Sequence, residues 1–135
     1  MAEPYCLAMV LCDGVHRDAM TGKFTLLGTF STLFAQQFPA QVLFCVYFAI
    51  TDGIGKTTIR TRIVDSESLV DADPVFELSS EFEFGSPLMV MESVAIVKTE
   101  IPKPGLNHCE LHAGTELLMA RRVLAVDVNE DNPNA

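Results

Sequence analysis

Apolar and polar positions alternate along much of this chain, and where alternation stops the run is apolar throughout. Residues 57–63 place Thr57, Ile59, Thr61 and Ile63 on one face against Thr58, Arg60 and Arg62 on the other. Residues 76–84 set Phe76, Leu78, Ser80, Phe82 and Phe84 against Glu77, Ser79, Glu81 and Glu83. A period of two marks a strand with one buried face. Paired antiparallel, these segments bring Arg60 and Arg62 opposite the glutamates. Such cross-strand pairs, worth about 0.2–1 kcal/mol each, help to fix register. The joining residues 66–75, SESLVDADPV, read as a polar loop.

Residues 42–50, VLFCVYFAI, have no polar face, so a strand there needs cover on both sides. Residues 5–13, YCLAMVLCD, are almost as apolar and predict a second interior strand. A short strand is expected over 24–30, with Gly28 marking a bulge or a close backbone approach. Another is expected over 88–98, where adjacent Glu92 and Ser93 break the alternation and point to a bulge or to a strand passing between environments. Residues 107–113 and 117–128 form a final hairpin joined at residues 113–115. Residues 31–38, STLFAQQF, predict one or two helical turns, capped by Ser31 and stopped by Pro39. The expected architecture is all-β, a two-layer antiparallel β-sandwich of about eight strands with one short helical segment near 31–38. It fills 1–128 as a single domain and leaves a polar C-terminal tail at 129–135.

Size and charge narrow the function. A chain of 135 residues suits one domain with a core large enough to fold without disulfides or a structural metal. The 18 acidic residues outnumber the 9 basic ones, and the whole net charge of -9 lies in the second half of the chain. Such a surface repels phosphate, which argues against nucleic acid and anionic membrane as partners. It favours a protein partner with a basic surface. The longest apolar run is far short of the roughly 20 residues of a membrane-spanning helix. The opening MAEPYCLAMVLCDG has neither the positive charge nor the cleavage site of a signal peptide, so a soluble, cytoplasmic protein is expected. Cys6, Cys12, Cys45 and Cys109 are dispersed without a CxxC spacing and read as reduced core thiols.

Three stretches carry candidate chemistry. Residues 52–58, DGIGKTT, resemble a phosphate-binding loop but lack its first glycine, and β-alternation rather than a helix follows the lysine. They read as a turn. His108, Glu110 and His112 share one face of a strand, and two imidazoles with a carboxylate suit a divalent ion such as zinc. Those three side chains spread over about 13 Å, wider than a tetrahedral site, and the same pattern describes a solvated strand face. Asp13, His16, Arg17 and Asp18 form a polar cluster directly after an apolar strand. An acid, an imidazole and a guanidinium together could act on a small substrate. No nucleophile with a placed base accompanies them, and a tight turn held by aspartate bonds to backbone N–H groups is the simpler role. Without Trp, and with only Tyr5 and Tyr47 as tyrosines, the chain lacks the stacking platform of a carbohydrate site.

The stretches LCDGVHRD (11–18), GKFTLLGTF (22–30), Phe38-Pro39, IPKPG (101–105) and ELLMARR (116–122) together resemble a family of small uncharacterised bacterial β-sandwich proteins. That family's pattern has a core aromatic two residues after the last of those glycines, where this chain has Asn107. The resemblance implies a β-sandwich and no assigned activity, cofactor or catalytic residue. The expected function is a non-catalytic binding or structural module that self-associates as a homo-oligomer, most simply a dimer. The alternative is a small divalent-metal-binding protein or metal-dependent enzyme centred on 108–112.

Overall fold

A computed structural model describes residues 4–67 and 73–129, and every regular element among them is a strand. In chain order these are β1 (Tyr5–Arg17), β2 (Phe24–Thr29), β3 (Thr32–Ala35), β4 (Ala40–Thr51), β5 (Gly55–Asp65), β6 (Phe76–Phe84), β7 (Met91–Ile101), β8 (Gly105–Ala113) and β9 (Glu116–Asp127). They form a four-stranded sheet in the order β2-β1-β4-β7 and a five-stranded sheet in the order β3-β9-β8-β5-β6.

Alternation decides which side chains meet between the sheets. The inward set of β4, Phe44, Val46, Phe48 and Ile50, is buried together with Met9 and Leu11 of β1 and Ala95 and Val97 of β7. The other sheet contributes Ile59 and Ile63 from β5, Cys109 and Leu111 from β8, and Val123 from β9 to the same cluster. Fully burying a side chain of this size contributes about 1.5–3 kcal/mol before entropy is counted. Two edge-on aromatic contacts close the ends, Phe30 on Phe44 at 5.3 Å and Phe48 on Phe82 at 6.2 Å between ring centroids. Because β2 pairs with β1 only from Cys12 onward, the carbonyls of Met9 and Leu11 need other donors. Arg121 of β9 supplies one to Met9 at 2.8 Å, and the Phe30 N–H supplies one to Leu11 at 3.0 Å.

The helix expected over 31–38 does not form. Its centre is β3, which pairs parallel with β9, Thr32 opposite Leu124 and Ala35 opposite Asp127. The Leu124 N–H donates to the Ser31 carbonyl and the Val128 N–H to that of Ala35, both at 3.0 Å. Eight residues are too few to recover the cost of nucleating a helix, whereas the open edge of β9 satisfies an extended backbone immediately. The architecture is therefore nine strands without a helix among the described residues, and one of its strand pairs is parallel. This correction has a consequence for packing, because 31–38 lengthens a sheet instead of lying across one.

Two local expectations also change. The strand expected from Leu88 begins at Met91, since Ser86 to Met89 make a turn that Thr51 holds by hydroxyl bonds to the Pro87 and Met89 carbonyls. The β4–β7 register runs unbroken through Glu92 and Ser93, and the irregularities fall instead at Cys6/Ala8 and Leu111/His112. Ser93 lies on the inner face of β7 where the sheets part, beside Phe48, Leu78 and Phe82, so the position needs no large apolar group. Of the tail expected at 129–135, only Asn129 is described. Its side-chain amide donates to the Gln36 carbonyl at 2.7 Å, and 130–135 lie outside the described residues.

Residues 52–55 show why the phosphate-loop resemblance fails. Asp52 and Gly55 adopt left-handed φ angles of 65° and 70°, and the chain passes directly into β5. Between them, a Cβ on Gly53 would lie 2.6 Å from the ring of Phe84, a core residue only 2% exposed. Gly53→Ala is expected to lower stability by about 1–3 kcal/mol, the usual cost of overpacking a core. Urea unfolding measures this, and an unchanged midpoint would show that the Phe84 ring yields without cost.

Candidate functional site

The cluster at 13–18 is dispersed by the β1–β2 hairpin. Asp18 organises the turn: its carboxylate accepts bonds from the Thr21 hydroxyl at 2.6 Å and the Met20 N–H at 3.3 Å, while its own N–H donates to the Lys23 carbonyl. These donors stabilise the charged form, with the Thr21 hydroxyl contributing most, and hold the carboxyl below the usual aspartate range. Arg17 turns its guanidinium over the Phe24 ring, 5.2 Å from the centroid, and among the described residues no ion pair joins it to Asp13 or Asp18. Asp13 lies against Gly28, whose left-handed φ of 67° and missing Cβ make room for the carboxylate. His16 is exposed opposite Thr25. The four side chains thus have separate surroundings.

On the five-stranded sheet, His108, Glu110 and His112 do share the outer face of β8, each half-buried. Their partners divide them. His108 Nδ1 lies 2.6 Å from the Ser66 hydroxyl, whereas His112 Nε2 lies 3.0 Å from Glu110 Oε1. Glu110 belongs to a wider charge lattice in which Arg62 reaches both Glu110, at 3.9 Å, and Glu77, at 3.2 Å. Arg60 also contacts Glu77, at 3.5 Å, so the arginine–glutamate pairing expected from the alternation of β5 and β6 is present. Among the described residues no group of three or more His, Cys, Asp and Glu side chains is placed to hold a metal ion.

The cysteines form no disulfide. Burial raises the thiol pKa of Cys6 and Cys12, with the proximity of Cys45 adding to the shift at Cys12, and pushes Cys109 up to about 12. These three groups stay protonated at neutral pH and are poor nucleophiles. Asn107 is buried at the start of β8, where it faces the core in an unbroken register with Val123 and Asp65.

A different surface stands out, the outer face of the four-stranded sheet. Its rows run Val10–Tyr47–Val94 and Cys12–Cys45–Ile96, with Leu43 and Lys98 alongside. Phe24 of the folded-over hairpin reaches Tyr47 at 5.5 Å and covers part of it. Tyr5, Leu7, Leu43 and Ile96 remain 50–67% exposed. The Tyr47 hydroxyl donates to Glu92, and burial followed by this bond pushes its pKa up to about 12. Sequence reading identified the apolar run of β4 and a strand over 88–98, but not the outer face of β7, which alternates Glu92, Val94, Ile96, Lys98 and Glu100. The signal was there at period two, hidden by the adjacent Glu92 and Ser93.

Fold and surface define a class, a small all-β sandwich module that presents an apolar sheet face rather than an assembled metal centre. The chain belongs to the Family of unknown function (DUF6941), whose model matches residues 7–127. Among solved structures it is similar to an immunoglobulin-like protein from Pseudomonas aeruginosa. The similarity covers 93% of this chain and 98% of that one, at 12% identity and a TM-score of 0.44. No curated protein matches the chain. Among the described residues no helix is long and apolar enough to cross a membrane.

The Asp18 turn gives a pH prediction. A carboxyl held below its unfolded value of about 3.9 stabilises the fold above that pH, and the contribution disappears as pH falls through the lower, folded value. NMR titration should place the Asp18 midpoint below that of an unstructured aspartate, and Thr21→Ala should raise it. A midpoint unmoved by Thr21→Ala would contradict the hydroxyl's leading part.

Proposed function

We propose that this chain is a non-catalytic binding or structural module that acts in the cytoplasm as a self-associated unit. The observation that carries this reading is the outer face of the four-stranded sheet, where Tyr5, Leu7, Leu43 and Ile96 stay exposed beside the half-buried Val10, Tyr47 and Val94. Soluble monomers rarely expose a contiguous apolar patch larger than a few hundred Å². A second copy related by a twofold axis is the simplest partner, since one surface then serves both subunits. The net charge of -9 supports the same reading, because it disfavours phosphate-rich partners and limits growth beyond a closed assembly.

Sedimentation equilibrium at micromolar concentration tests this. The expected mass is twice the chain's 14.8 kDa, or a higher closed multiple. A mass equal to one chain throughout that range would contradict the proposal.

A further inference from the structure

Four strands end the two sheets, and they differ in what they offer a second copy: β2, β7, β3 and β6. β3 has four residues, and β2 carries Gly28 at a left-handed φ near its end. β6 presents Glu77, Ser79, Glu81 and Glu83 on its outer face, so antiparallel pairing with its own copy sets carboxylate against carboxylate or against serine. Like charges placed this way oppose edge-to-edge association. β7 is long, continuous in register with β4, and mixed in sign on its outer face.

Resting on the self-association proposed above, we infer that the second copy docks edge to edge along β7, antiparallel, with the twofold axis at Ala95. That register sets Glu92 opposite the partner's Lys98 and Lys98 opposite the partner's Glu92. Between these pairs it sets Val94 opposite the partner's Ile96 and Ile96 opposite the partner's Val94. Antiparallel neighbours keep their faces only if the register shifts by two residues at a time, which leaves few alternatives. Centring on Ile96 opposes Glu92 to the partner's Glu100. Centring on Val97 puts Val94 against the partner's Glu100 and Ile96 against the partner's Lys98. Centring on Val94 puts Glu92 against the partner's Ile96. Of these registers only the one centred on Ala95 sets Glu92 opposite a lysine and both Val94 and Ile96 opposite apolar residues.

Three features of the chain support this edge. Among the described residues Lys98 makes no ion pair, although the surface around it is acidic. Ile96, one residue from the axis on the outer face, is 63% exposed. The two sheets part along this side, where Leu78 points inward from β6 and is still 40% exposed above Phe48 and Phe82. A copy docked on β7 extends the four-stranded sheet into eight strands, sets Val94 and Ile96 against the partner's apolar side chains and shields that seam, while Tyr5, Leu7 and Leu43 stay on the open face.

Charge reversal tests the register. Glu92→Lys and Lys98→Glu should each raise the dimer dissociation constant at least tenfold, by placing like charges at both outer pairs. The double variant should return within about threefold of the wild type. An equimolar mixture of the two single variants should associate, because the Glu92→Lys chain then presents two lysines to two glutamates. Ile96→Asp weakens the same interface without touching the Tyr47–Glu92 bond, and thermal melts establish that each variant folds. Dimerisation unchanged by Lys98→Glu and Ile96→Asp would overturn this interface and leave self-association standing. A wild-type chain that stays monomeric would overturn both.

Discussion

Phe44, Val46, Phe48 and Ile50 of β4 meet Ile59, Ile63 and Leu111 across the gap between the sheets, and the other elements are arranged around that contact. β4 is flanked on both sides, by β1 and by β7, and so has no free edge along its paired length. Its neighbours repeat its alternation, with the smaller Ala95 and Val97 on one side and the larger Met9 and Leu11 on the other, and all of them join one buried cluster. The turn into β5 packs against the same cluster, with Gly53 bare beneath the Phe84 ring.

What lies outside the core differs between the two sheets. The five-stranded sheet is finished on its outer side by a lattice of Arg60, Arg62, Glu77, Glu110 and His112, largely half-buried groups that pair with one another. The four-stranded sheet carries Val10, Tyr47, Val94 and Ile96 there, and among the described residues its internal cover is the β1–β2 hairpin, which brings Phe24 onto Tyr47. A sandwich buries one face of each sheet, so an apolar strand such as β4 satisfies half its requirement against the other sheet and keeps an apolar outer face.

Much of this was legible wherever one physical rule acts alone. Alternation located β5 and β6 and their arginine–glutamate pairs, because a strand with one wet face has little freedom in where it puts charge. The unbroken apolar run of β4 announced a strand needing two covers. Residues 31–38 misled because a serine cap and a proline stop are local signals, whereas β3 owes its conformation to the open edge of β9, a partner about ninety residues away in sequence. The residues at 108–112 share one strand face as their spacing indicates, whereas of those at 13–18 only Asp18 lies in the turn and Asp13, His16 and Arg17 belong to β1. Sequence spacing does not reveal that Phe24, Gly28, Ser66 and Arg62 draw them apart. The outer face of β7 was readable in principle, and became visible only once its neighbour and its edge position were known.

The account turns on whether β7 is an edge in solution, and residue-resolved hydrogen exchange of the wild-type chain at micromolar concentration reads this directly. Alternate amides of β7 point away from β4, and among the described residues no strand pairs with that edge. In the assembled protein they are predicted to exchange as slowly as the β7 amides bonded to β4, while the free-edge amides of β6 exchange rapidly. Free-edge amides of β7 that exchange as fast as those of β6 would contradict the account.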